Sequence, residues 1–203
     1  MQYLHGHGHK FTTHTISCAA LGGHFECLKF LHEIGCEWNG KTTLFAARSG
    51  HLACLQYAHE NGCEWDEWND PICKAAAIGG HLDCLKYAHE NGCTWNWMVG
   101  LSAVEGGHLN CLKYLHENEC GWKEAICSQA ARSGELECLQ YAHENGCPWD
   151  KKVCENAARY GHPECLKYAY ENGCPWDAEK CESRAAEGGH TECLTFVQQN
   201  KGI

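Results

Sequence analysis

Apolar and polar positions along this chain recur as one phrase instead of varying from segment to segment. A run of small apolar residues, such as Cys154, Ala157 and Ala158, precedes a glycine, and a second run follows: Cys165, Leu166, Tyr168 and Ala169. Both spacings gather their apolar side chains on one face of a helix of 3.6-residue period. Gly161 closes the first run and Asn172-Gly173 the second, as helix stop signals do. Neither run alternates with the period of two that a half-buried strand needs. The phrase predicts helix–turn–helix.

Aligned on the Gly-His step, the phrase appears at Gly23-His24, Gly50-His51, Gly80-His81, Gly107-His108, Gly134-Glu135, Gly161-His162 and Gly189-His190, at spacings of 27, 30, 27, 27, 27 and 28 residues. Self-similarity at a fixed period is the mark of a solenoid, in which each unit buries its apolar face on the next. The expected fold is therefore all-α, seven helix pairs in a single solenoid over residues 1–203, opening with a degenerate half repeat at 1–12. MQYLHGHGHKF aligns with LQYAHENGCPW at 139–149, which puts His5 at the repeat histidine and His9 where other copies have Cys. The HGHGH stretch reads as a decayed repeat in preference to a metal-binding tail.

The ends of the helices are written locally. Asn39, Asp66, Asn96, Asp150 and Asp177 each follow a Trp and are good N-caps; Lys123 is the exception. Trp149 and Cys154 occupy the N′ and N4 positions of a hydrophobic staple. Pro163 stands at N1 of the second helix, Gly173 at its left-handed C′ position, and Cys174 at C″, where a side chain packs back on the last turn.

GHPECLKYAYENGCPWD, led by a small-residue first helix (AARSG, AARYG), resembles the ankyrin repeat, and specifically its shortened form in proteins of large DNA viruses of amoebae and algae. The resemblance implies a protein-binding array. Two departures matter. The usual period is about 33 residues, and the missing ones lie between Trp and the Ala-Ala pair, so the projecting β-hairpin is expected to be short or absent. Cys, Tyr and His also replace aliphatics. In the viral family such arrays often follow an F-box that links them to a ubiquitin ligase; repeat signal here begins at Gln2, so an adaptor role would need another subunit.

Charge narrows the partner. With 16 Lys+Arg against 26 Asp+Glu the chain carries −10, which disfavours nucleic acid and anionic membranes, both of which reward cations. No apolar run is long enough to span a membrane and the N-terminus has no apolar signal core. The expected location is cytoplasmic, that of the host cell if the protein is viral. The expected partner is a protein. Homotypic stacking is the structural alternative, since neither end carries a full polar capping unit.

The 18 cysteines raise three readings. Seven open the second-helix stripe, six follow its end, four sit in the first helix, and Cys18 is out of register. Disulfides fit poorly: Cys165 and Cys174 lie about 13 Å apart along a helix, and equivalent cysteines of stacked helices about 8–10 Å apart, beyond the roughly 7 Å limit for a bridge. Only pairs of the Cys147–Cys154 type approach it. Zinc has a local candidate set in His143, Cys147 and Cys154, soft ligands but three where four are needed. Tyr170, Gln198, Thr43 and Gly100 replace members of that set in other copies. Packing accounts for all classes, because a buried free Cys behaves as a small hydrophobe. The repeat histidine is expected to hydrogen-bond a neighbouring repeat, and no cofactor is expected.

Catalysis is not expected. A nucleophilic Cys needs one activated thiolate with its own base and oxyanion site, whereas every Cys/His pair here recurs at fold positions. Partner binding is expected where the register breaks. A three-residue insertion in WDEWNDP adds Trp68, and TWNWMVG adds Trp97 and Met98 where neighbours are charged. These two turns are expected to share one edge, an aromatic core with a polar rim. The alternative is that the extra Trp fills a gap left by the insertion and Gly100. Arg48, Arg132 and Arg159 share a position ankyrin units commonly fill with Arg and carry no special expectation.

Overall fold

The computed structural model describes residues 6–65 and 72–201. Among these residues there are 14 helices and no strands. They form seven consecutive pairs: α1 (Thr13–Leu21) with α2 (Phe25–Glu33), α3 (Gly40–Arg48) with α4 (Leu52–Glu60), and α5 (Ile72–Gly79) with α6 (Leu82–Glu90). Then come α7 (Trp97–Glu105) with α8 (Leu109–Glu117), α9 (Glu124–Ser133) with α10 (Leu136–Glu144), α11 (Lys152–Tyr160) with α12 (Pro163–Glu171), and α13 (Ala178–Gly188) with α14 (Thr191–Asn200). The chain divides into two compact units, Met1–Trp95 and Asn96–Ile203. Within each, first helices pack on first helices and second helices on second helices, as in a solenoid.

The caps form where the local code puts them. Asn39, Asn96 and Asp177 side chains accept from Lys41, Met98 and Lys180 backbone N–H groups at 2.8–3.1 Å. Asp150 accepts from Lys152 at 2.9 Å, although regular helix geometry in α11 starts one residue later than expected. Lys123 offers no side-chain cap. Asp66 lies outside the described residues.

Helices end in Schellman turns. At α12, Cys174 N–H donates to Ala169 C=O at 2.9 Å and Gly173 N–H to Tyr170 C=O at 3.1 Å, satisfying carbonyls the helix end leaves orphaned. The left-handed residue is Gly everywhere except Glu119, at φ 64°. In first helices the Gly is needed twice over: a Cβ on Gly161 (φ +77°) would also run into the His190 ring of the next repeat.

The core explains the composition. Six of the seven second helices fully bury a Leu at one shared position (Leu28, Leu55, Leu85, Leu112, Leu139, Leu166), two of them a second (Leu31, Leu115). First-helix alanines such as Ala46, Ala76, Ala103, Ala130 and Ala157 are also fully buried. Small residues let the first helices approach closely while leucines fill the space between layers.

Candidate protein-interaction surface

The phrase's aromatic and imidazole groups assemble between repeats. His143 lies flat on Trp149, ring centroids 3.7 Å apart at 13°, and its Nδ1 lies 2.9 Å from the Tyr168 hydroxyl of the next second helix. His32/Trp38/Tyr57, His59/Trp65/Tyr87 and His116/Trp122/Tyr141 repeat the arrangement, with Nδ1 to hydroxyl distances of 3.0–3.1 Å. The hydrogen bond to a neighbouring repeat is as expected. Trp149, which the sequence places at the N′ position of a staple, stacks on the histidine, a contact the sequence reading did not foresee.

A second histidine closes the first helices. His51 Nε2 donates to Leu21 C=O at 3.2 Å, His162 to Arg132 C=O at 3.0 Å, and His190 to Arg159 C=O at 3.0 Å. Each thus satisfies a last-turn carbonyl of the preceding repeat.

The cysteines line the interior. All 18 are free, and all but Cys18, Cys27 and Cys36 are buried. Post-helix thiols donate to the backbone carbonyl that opens the same repeat's first helix: Cys63 to Asn39, Cys120 to Asn96, Cys147 to Lys123 and Cys174 to Asp150, at 3.2–3.4 Å. The thiols that meet are the first-helix and post-helix cysteines of one repeat, not a Cys147–Cys154 pair. Cys73 meets Cys93, its N–H donating to the Cys93 sulfur at 3.3 Å. Cys127 pairs with Cys147 and Cys154 with Cys174, the first-helix thiol held well above its ordinary pKa by that hydrogen bond and then by burial. Accepting it pulls Cys147 and Cys174 down.

Elsewhere burial dominates. It pushes Cys63, Cys111 and Cys193 up to about 11, and Cys138, Cys165 and Cys181 up to about 12. Such thiols stay protonated at neutral pH and are poor nucleophiles. The zinc set does not assemble. Among the described residues no three His, Cys, Asp or Glu side chains form a group that could hold a metal. His143 is turned to Tyr168 and Trp149, Cys147 to Lys123 C=O, and Cys154 to Cys174.

The second register break lies at the turn that opens α7. Met98, at N2 of α7, is 47% exposed. Its backbone is pinned by the Asn96 cap, and its carbonyl accepts from Ser102 Oγ at 3.2 Å. Trp97, at N1, is half-buried beneath Lys123, whose Nζ lies 4.9 Å from the ring centroid. Trp97 is not a plug for Gly100: Ile126 Cδ1 stands 3.4 Å from where a Gly100 Cβ would be. Trp68 lies outside the described residues. Where N1 is small, the turn before a first helix opens a groove. One of 440 Å³ lies along Trp38, Gly40, Lys41, Glu64 and Trp65, and one of 660 Å³ along Tyr170, Trp176, Ala178, Glu179 and Lys201.

Residues 44–89 match the family model described as ankyrin repeats (many copies). The crystal structure of the human ASB11 ankyrin repeat domain superposes with a TM-score of 0.72 over 90% of this chain and 96% of that one, at 20% identity. This is the ankyrin-repeat fold. No curated protein matches the chain. Against the usual ankyrin unit of about 33 residues, the links between helix pairs that lie wholly among the described residues are a few residues long and carry no hairpin. Among the described residues no helix is long and apolar enough to cross a membrane.

Sequence reasoning passed over Tyr160, 38% exposed at the end of α11. Its signal was present: every equivalent position carries Gly or Ser.

Proposed function

We propose that this chain is a non-enzymatic protein–protein interaction scaffold whose turn edge, at Trp97 and Met98, contributes an interface core. Ankyrin-repeat folds generally mediate protein–protein contact, and Trp and Met are enriched where such contacts are made. The observation that carries the reading is Met98, 47% exposed on a backbone fixed by the Asn96 cap. Five other first helices have His14, Lys41, Ala125, Lys152 and Glu179 at this position, so the fold does not call for a large apolar side chain there. Asn96 and Lys123 supply a polar rim.

The short period and the Cys/His/Trp phrase support placing the array with the shortened repeats of large DNA viruses. Eighteen free cysteines suit a reducing compartment such as the cytoplasm.

The test is to capture the partner by affinity pull-down, identify it by mass spectrometry, and titrate the purified pair. Trp97→Ala and Met98→Ala should each weaken binding by about 1–3 kcal/mol with the melting temperature nearly unchanged. A lowered melting temperature with unchanged affinity would assign both side chains to packing.

A further inference from the structure

Tyr160 departs from a position held by Gly22, Ser49, Gly79, Gly106, Ser133 and Gly188 in the other copies. Its ring gathers two cations: Arg132 Cζ, from the end of α9, lies 5.1 Å from the centroid, and Arg159 Cζ lies 5.7 Å from it. All three residues are exposed. Two guanidiniums repel in the open; the negative face of the ring offsets part of that cost and holds both near one point. The backbone below is anchored, since the carbonyls of Arg132 and Arg159 accept from His162 and His190.

Glu187, which feels the charge of Arg159, is engaged elsewhere. Glu187 accepts from Arg184 Nη1 at 3.2 Å and from Ser183 Oγ at 3.0 Å, and Arg159 adds only a weaker electrostatic pull on it. On a chain of net charge −10, the patch is a local reversal of sign. It stands at the C-terminal ends of the first helices, whereas Trp97 and Met98 stand at an N-terminal end.

We propose that Arg132, Tyr160 and Arg159 form a docking point for a carboxylate-rich segment of a partner protein. The planar guanidinium fork matches a carboxylate in two parallel hydrogen bonds. Arg and Tyr are the residue types on which binding energy concentrates. Held against the ring, the arginines lose less side-chain freedom on binding than free ones. The phenol ring then receives the apolar part of the residue next to the acid.

The test selects random linear peptides by surface display on the intact chain, then measures the selected peptides free in solution. Asp/Glu-enriched peptides are expected, with affinity falling about tenfold or more on the double substitution Arg132→Ala, Arg159→Ala, and falling with added salt. Tyr160→Ala should weaken binding while Tyr160→Phe, which keeps the ring face, should not. The three side chains are exposed, so unchanged melting curves should accompany these losses. Selected peptides without acidic enrichment, or acidic ones untouched by the double substitution, overturn the proposal. Peptides lost on Trp97→Ala but not on the arginine substitutions overturn it too, while leaving the turn-edge interface standing.

Discussion

Tyr170 and Phe196 stand where His143 and Tyr168 stand one repeat earlier, and here both are replaced. The hydroxyl that would meet an imidazole is absent where the imidazole is absent. The rings still meet, edge to face at 5.6 Å, with Trp176 at 4.7 Å from Tyr170. The pair is thus a natural control for the His143–Tyr168 contact at 2.9 Å. It isolates the hydrogen bond from the stacking around it.

Restoring the bond should therefore be cooperative. Tyr170→His with Phe196→Tyr is expected to exceed the sum of the single changes by about 0.5–1.5 kcal/mol, the net worth of one intramolecular hydrogen bond. A double-mutant cycle by urea denaturation measures this. Strict additivity would show that ring packing alone joins these repeats.

Glu119 is the one non-glycine among the described residues with positive φ, at 64°. Its neighbours in the phrase (Gly92, Gly146 and Gly173) hold the same turn without a Cβ. Glu119→Gly should stabilise the protein by about 1 kcal/mol, the cost of placing an L-residue in the left-handed region. Thermal denaturation of the single variant checks it. A lowered melting temperature would mean the chain-entropy cost of glycine is the larger effect.

Alkali should unfold the array. Burial raises the Cys138, Cys165 and Cys181 thiols to about 12, above the ordinary value of 9.0. A thiol whose folded pKa is raised favours the folded state fully below its unfolded pKa, and that contribution is lost as pH climbs through the interval. Stability should hold up to about pH 9 and fall steeply from there toward pH 12. Melting curves across that range, under reducing conditions, check it. A flat profile would contradict the burial of these thiols.

Chelators should leave the fold intact, and elemental analysis should find less than one zinc per repeat. His143, Cys147 and Cys154 are each engaged elsewhere, with Tyr168, Lys123 C=O and Cys174. Metal-dependent folding would appear as loss of helical circular dichroism in chelator. That outcome, with stoichiometric zinc, would replace packing as the glue.

Helix number, order and limits were legible in the sequence because their causes are local. Asn39, Asn96 and Asp177 cap backbone N–H groups two or three residues away, and Gly161 and Gly173 end helices by their own φ. The packing role of cysteine was legible too, from its recurrence at stripe, staple and post-cap positions. What tertiary structure decided was which partner a side chain takes from the next repeat. Trp149 stands at a staple position along the chain, but that it lies flat on His143, whose Nδ1 meets the Tyr168 hydroxyl of the next repeat, is set by the packed fold. The thiols likewise choose partners twenty residues away, Cys127 with Cys147. Tyr160 reads as a lapse in a repeat until stacking brings Arg132 and Arg159 to its ring. A period reports what every copy shares; contact between copies is set by distance in space, and only the packed helices supply that.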